Sequence, residues 1–316
     1  MTANYPFPIN NEYTAVAIAY RNTAMIADEV LPITPVSKKF TWIKHTKEEG
    51  YTAPDDKVGR KSRPNQISFT GTEQTDSTED YAYDDPIPQD DIDANNIPGY
   101  DVVGKSTMYL SNLLELRREK RVADLVFDAA QYPTDNKVTL SGSGQYSHPD
   151  SNPLNDLLTR LDVPLMRPNA IAMGQDVWRV LRQHPTILAA IKGTGAGRSA
   201  TAGEAGVIAR EQLAELLEIE AVLVGQGWIN TAARGQTPTF VRVWGKSISM
   251  MYRDVLAGPQ RGTTFGFTGQ FGTRIAGTIP DPHIGMRGGQ ITRVGWSQKE
   301  IISAADLGYL ISAAVA

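Results

Sequence analysis

The 316-residue chain contains no cysteine. That excludes a disulfide scaffold, thiolate metal ligation and a cysteine nucleophile, and it is compatible with the cytosol. Long apolar runs are missing too. The longest near the start, residues 15–20, is far too short to span a bilayer. The opening residues MTANYPFPINNEYTAVAIAYRN carry no basic region ahead of an apolar core, so no signal peptide is expected. Net charge is −4, which gives no basic signature for direct nucleic-acid binding.

Bases are absent locally as well. No Lys, Arg or His occurs between Arg63 and Lys105, while nine acids lie between Glu73 and Asp93. Residues 1–159 hold 15 Lys+Arg against 24 Asp+Glu, a net −9; residues 160–316 hold 16 against 11, a net +5. Halves of opposite sign suit contacts between copies, although a solvated surface looks the same. Length and an ordinary composition, 41% hydrophobic and 21% charged, predict a large core split into two subdomains.

Residues 1–37 read as an arm with one helical piece, then extended at Pro32 and Pro35. Residues 38–70 alternate at Phe40/Trp42 and again at Ile67/Phe69, which predicts a long hairpin with a polar tip. Such a hairpin is marginal alone and needs a partner surface. Residues 71–99 have the composition of a disordered or partner-ordered segment.

Residues 105–131 predict one long amphipathic helix, capped by Ser106 or Thr107 and ended by Pro133. Tyr109, Leu113, Leu116, Ala123, Phe127 and Ala130 mark its inner face, widened by Leu110, Leu114, Val122, Val126 and Ala129. Arg117, Arg118, Lys120 and Arg121, beside Glu115, Glu119 and Asp124, read as an exposed face. The second half reads as an α/β unit. It has helices over 152–161, 175–183 and 207–217, strands over 169–173 and 221–224, and a hairpin over 240–252 turning at Gly245-Lys246. A β-rich stretch over 258–300 and a buried run over 309–315 close the chain.

Catalytic and ligand motifs fail on detail. The loop 193–206 has Arg198 where a phosphate loop or dinucleotide fingerprint needs Gly, and no Lys follows. His45, His148, His184 and His283 are scattered, without metal-ligand spacing. Ser141-Gly142-Ser143-Gly144 is not a nucleophile elbow. Asp90, Asp91 and Asp93 lack the rest of a calcium loop. No enzyme and no cofactor are expected.

The order of elements resembles the major capsid proteins of tailed bacteriophages: arm, long hairpin, spine helix, α/β domain, β-rich return. Local stretches carry the resemblance: RPNAIAMGQDVWRVLRQHPTI, LAELLEIEAVLVGQGWIN, FVRVWGKSISMMYRD and DLGYLISAAV. The resemblance implies an α+β Hong Kong 97-type fold. It divides the chain into an N-terminal arm (1–37), extended loop (38–100), peripheral domain with the spine helix (101–164) and axial domain (165–257). Peripheral strands (258–300) and a C-terminal segment returning to the axial domain (301–316) follow. Loop 193–206 would lie at capsomer centres.

The resemblance also implies copies in hexamers and pentamers, forming an icosahedral shell around double-stranded DNA. Scaffold, portal and decoration proteins would be partners, with no membrane involved. The location would be the virion, after assembly in the host bacterial cytoplasm. Too little sequence precedes the loop for a cleaved scaffold domain, and none of Lys44, Lys47, Lys57 and Lys61 is assigned to a cross-link. Contacts between subunits are expected at the basic tip, Lys57, Arg60, Lys61 and Arg63, and at the acids Glu73, Asp76, Glu79, Asp80, Asp84 and Asp85. An encapsulin-type compartment shell and a soluble enzyme with a mobile lid are the alternatives.

Overall fold

The computed structural model describes residues 7–19, 22, 24–44, 53, 55–64, 66, 72–94, 101–194, 207–233, 235–259 and 262–316. Its helices are α1 (Asn11–Ala19), α2 (Ala27–Val30), α3 (Gln89–Asp93), α4 (Val102–Val126), α5 (Pro153–Leu161), α6 (Gln175–Leu181), α7 (Pro185–Thr194) and α8 (Arg210–Leu217). The strands begin with β1 (Ile33–Pro35), β2 (Lys39–Lys44), β3 (Thr72–Ser77), β4 (Glu79–Pro88), β5 (Lys137–Thr139), β6 (Ala170–Gly174) and β7 (Ala221–Gly225). They continue with β8 (Trp228–Asn230), β9 (Phe240–Arg242), β10 (Ile248–Met251), β11 (Gly266–Asp281), β12 (Gly289–Ile302) and β13 (Gly308–Ser312).

Helix α4 is the spine. Its 25 residues span about 38 Å at 1.5 Å per residue. Asp101 caps it, accepting from the Val103 amide, and it ends at Phe127, six residues before Pro133. Ser106 and Thr107, the expected caps, are instead buried within the helix, and the Thr107 hydroxyl donates back to the Val103 carbonyl. The inner face differs as well. Leu110, Leu114, Val122 and Val126 are buried, whereas Tyr109 is 64% exposed. The four-residue spacing of 110, 114, 118, 122 and 126 also carries Arg118 inward, where it is 3% exposed.

Two sheets meet on this helix. The first has the order β1-β11-β12-β4. Leu110 and Leu114 of α4 and Ala17 of α1 pack on its Ala276, Val294 and Trp296. The second has the order β5-β13-β10-β6-β7. Helices α5–α8 cover one of its faces through Leu157, Leu161, Trp178, Leu181, Leu213 and Leu217. Val122, Ala123 and Val126 of the spine lie against the other, with Trp244 and Phe265. Strand β10 is buried along its length because β6 and β13 flank it on either side.

Several sequence expectations change here. Residues 240–252 are not one hairpin: β9 pairs with β8, while β10 enters the five-stranded sheet. Trp244 breaks the ribbon by turning inward under two strand ends. A Cβ at Gly225 would fall 1.9 Å from its ring, and one at Gly174 would fall 2.2 Å from its carbonyl oxygen. Residues 72–94, expected to be disordered or ordered by a partner, form β3, β4 and α3. Strand β4 pairs with β12 over ten residue pairs, from Gly289↔Pro88 to Gln298↔Glu79. The N-terminal arm packs on its own chain, as α1, α2 and β1. Strand β5 and helix α5 pack with the second sheet. Ile67, Phe69 and residues 195–206 lie outside the described residues.

Glu119 joins these pieces. It is fully buried, and its carboxylate accepts from the Ile26 amide (2.9 Å), the Ala27 amide (2.8 Å) and the Trp244 indole. Beside it, Arg118 pairs with Asp28 and donates to the Leu31 carbonyl. Burial pushes the Glu119 carboxyl above its ordinary range, against the pull of those N–H donors and of Arg118. Glu115 is raised by burial too, opposed by Arg274 at 2.8 Å.

A raised carboxyl makes the folded state bind protons more tightly than the unfolded chain. Its stabilising effect is complete below the ordinary carboxyl range and lost as pH rises through the raised value. Urea midpoints of the unassembled subunit should therefore fall across that window, and Glu119→Gln should flatten the slope. An unchanged slope overturns the assignment. Glu119→Ala leaves three buried donors unpaired and should cost about 3 kcal/mol or more on the same measurement.

Candidate assembly interface

The β2–β3 hairpin is rooted on the first sheet. Antiparallel pairing runs from Lys39↔Ser77 to Lys44↔Thr72. Phe40 and Trp42 point to one side of β2 and bury against Phe267 and Ile301. Gly269 lets Phe40 approach: a Cβ there would come within 3.0 Å of the phenyl ring. The Trp42 indole donates to Asp76 at 2.8 Å, and the Ile43 amide donates to the Pro259 carbonyl at 3.1 Å. The root is fixed by aromatic burial and hydrogen bonds, and the tip is solvated.

Lys57, Arg60, Lys61 and Arg63 are all exposed on that tip. Asp55 accepts from the Lys57 amide, and the Ser62 amide closes a turn onto the Gly59 carbonyl. The expected acids divide. Glu73 is exposed on β3, and Asp76 is held by Trp42. Glu79 pairs with Lys299 at 2.7 Å, Asp80 with Lys38 and Ser297, Asp84 with Arg293 at 2.5 Å, and Asp85 with the Ser106 hydroxyl at 2.5 Å. The hydrogen bonds from Lys299 and Lys38 hold the Glu79 and Asp80 carboxyls below their usual range. The structure therefore does not bring the basic tip and the acids of β4 together within one chain. It matches Glu79, Asp80 and Asp84 to bases of β12 and of the chain before β2, and Asp85 to the Ser106 hydroxyl of the spine.

Arg118 and Glu119 are the anchors that the sequence reading missed, having placed them on an exposed face. Their positions among Leu114, Val122, Ala123 and Val126 at helical spacing carried the signal. Aromatic–cation pairs add local order: Arg121 lies 3.8 Å over the Tyr81 ring and Arg274 lies 4.4 Å over Trp296.

No constellation of reacting groups converges among the described residues. His184 is buried between Ser151 (3.2 Å) and Thr186 (2.8 Å), and the Ser151 hydroxyl donates to the His148 carbonyl, so the pair ties loops together. Among the described residues, no group of three or more His, Asp or Glu is placed to hold a metal ion, and no helix is long and apolar enough to cross a membrane.

No family model matches the chain. It is 48% identical over 315 residues to the major capsid protein of Pseudomonas phage JBD67, covering 99% of each protein. The major capsid protein of Burkholderia phage BcepMu is 23% identical over 308 residues, covering 95% of this chain and 94% of that one. Among solved structures, a phage-related protein of Bordetella bronchiseptica superposes with a TM-score of 0.76 at 25% identity, over 98% of this chain and 99% of that one. The capsid of cyanophage P-SCSP1u matches at a TM-score of 0.58 and 11% identity, over 99% and 92%. The chain belongs to the phage major capsid proteins, and its fold is the Hong Kong 97-type capsid fold. Its role is structural.

Trp42→Ala should loosen the hairpin root by about 3 kcal/mol, the cost of truncating a buried Trp. Exchange of the Ile43 amide, which donates to the Pro259 carbonyl, should then run roughly a hundredfold faster, since each factor of ten is about 1.4 kcal/mol. Unchanged exchange would mean that the root is held elsewhere.

Proposed function

We propose that this chain is the repeating subunit of a phage head, closing into an icosahedral shell of hexamers and pentamers around double-stranded DNA. The observation that carries the assembly mechanism is the β2–β3 hairpin. Its root is buried on its own chain, yet its tip exposes four bases. A solvated segment built this way costs ordering entropy without return inside one subunit, so its role lies between copies. The tip bases Lys57, Arg60, Lys61 and Arg63 and the exposed Glu73 are its contact residues. Asp76, Glu79, Asp80, Asp84 and Asp85 act first within their own chain.

In this reading, the five-stranded sheet with α5–α8 is the axial domain. The spine and the four-stranded sheet are the peripheral domain. The boundary then places residues 137–161 on the axial side. Scaffold, portal and decoration proteins would be assembly partners, and the shell would form in the host cytoplasm before becoming the virion capsid. A cargo-enclosing compartment shell is the weaker reading, because both curated relatives are phage capsid proteins.

Joining Lys44 to Thr72 through a short Gly-Ser turn tests the hairpin. The variant should keep the urea midpoint of the natural subunit and form no closed shells by negative-stain microscopy. Closed shells would show that the tip is not the assembly element. Reversing the four tip bases to Glu should weaken assembly most at low ionic strength, where exposed charges are least screened.

A further inference from the structure

The β8–β9 ribbon meets the core around Trp244 through Ile229, and among the described residues no element covers its outer face. Trp228 stands directly opposite Arg242, and Asn230 opposite Phe240, so these four side chains share one face. Trp228 is 50% exposed and Phe240 63%. The Arg242 guanidinium lies 3.9 Å over the Trp228 ring and donates to the Gln226 carbonyl at 2.8 Å. The face is therefore pre-organised: two large rings and one oriented cation. Only Ile229, on the reverse side, packs partly against the core around Trp244. A two-stranded ribbon with an uncovered aromatic face is marginal in water.

Charge identifies the occupant. Residues 226–246 contain Arg234, Arg242 and Lys246 and no carboxylate. The first half of the same chain carries net −9. Buried Trp and Arg are the residue types that dominate protein–protein contacts. A duplex offers no free ring face to Trp228 and Phe240, and its grip comes from many phosphate-directed cations.

We propose that the Trp228–Phe240–Arg242 face of the β8–β9 ribbon is a copy-to-copy docking surface, packing against an acid-rich surface in the first half of a neighbouring chain. This rests on the shell reading above and adds to it a contact distinct from the β2–β3 hairpin.

The chain has no native cysteine, so Phe240→Cys supplies a single thiol at an exposed position. In shells formed by the expressed chain alone, iodoacetamide should alkylate it at least about tenfold more slowly than in the dissociated subunit. A photoreactive benzoylphenylalanine at 240 should give a covalent dimer in those shells, joined to a peptide from residues 72–159 of the second chain. Equal alkylation rates, a photoproduct within one chain, or one with nucleic acid would overturn the proposal while leaving the shell reading intact. Absence of any particles from the natural chain would overturn both.

Discussion

The fold depends on one buried carboxylate. Glu119 lies in the C-terminal half of the spine helix and, among the described residues, has no counter-ion in direct contact. Two amides at the start of α2 and the Trp244 indole compensate its lost hydration. The donors come from two distant parts of the chain: the N-terminal segment before β1, and the turn that leads into β10. The neighbouring Arg118 reaches the same region through Asp28, the Leu31 carbonyl and the Thr268 hydroxyl. Once α2 is held there, β1 is delivered parallel to β11, and β2 follows onto Phe267 and Ile301. The position of the long hairpin is thus set by a polar site inside the helix that supports it. Apolar contact alone would let α2 slide along the spine; directional donors define one register.

The two halves of the chain carry opposite net charges. Part of the asymmetry closes within the subunit, where Glu79, Asp80 and Asp84 on β4 face Lys299, Lys38 and Arg293. This is also why an edge strand of such acidity is ordered: the β12 ladder satisfies its backbone, while Tyr81 and Ile87 pack inward. Its acids, with Pro86 and Pro88, discourage indiscriminate pairing along the open edge. The bases of the hairpin tip stay exposed, as do Trp228 and Phe240 of the carboxylate-free β8–β9 ribbon.

Much of the architecture was legible in periodicity. The spine helix, the short helices at 153–161, 175–181 and 210–217, and the strands at 170–174 and 221–225 follow from apolar spacing and cap residues. So does the burial of the closing apolar run. Strand β4 was not legible, because eight of its ten side chains avoid the core and its order comes from β12, some 210 residues later. The hairpin expected over 240–252 failed because local alternation cannot distinguish two strands of different sheets. What separates them is the inward turn of Trp244 under Gly225 and Gly174, a contact between distant segments. Arg118 and Glu119 were read as surface charges because their neighbours in sequence are charged. Their burial needs the N-terminal segment and Trp244 to arrive from outside the helix.

By itself, the sequence determined a cysteine-free α+β chain with one long spine helix, an α/β unit and a polar hairpin too poor in apolar residues to stand alone. These are local properties, set by spacing, turn residues and charge. The tertiary structure alone decided which acids find partners within the subunit, which face of the spine is core, and which surfaces remain uncovered. Each of those depends on pairing residues far apart in the chain, where the balance of desolvation and directional hydrogen bonding is settled only when both partners are in place.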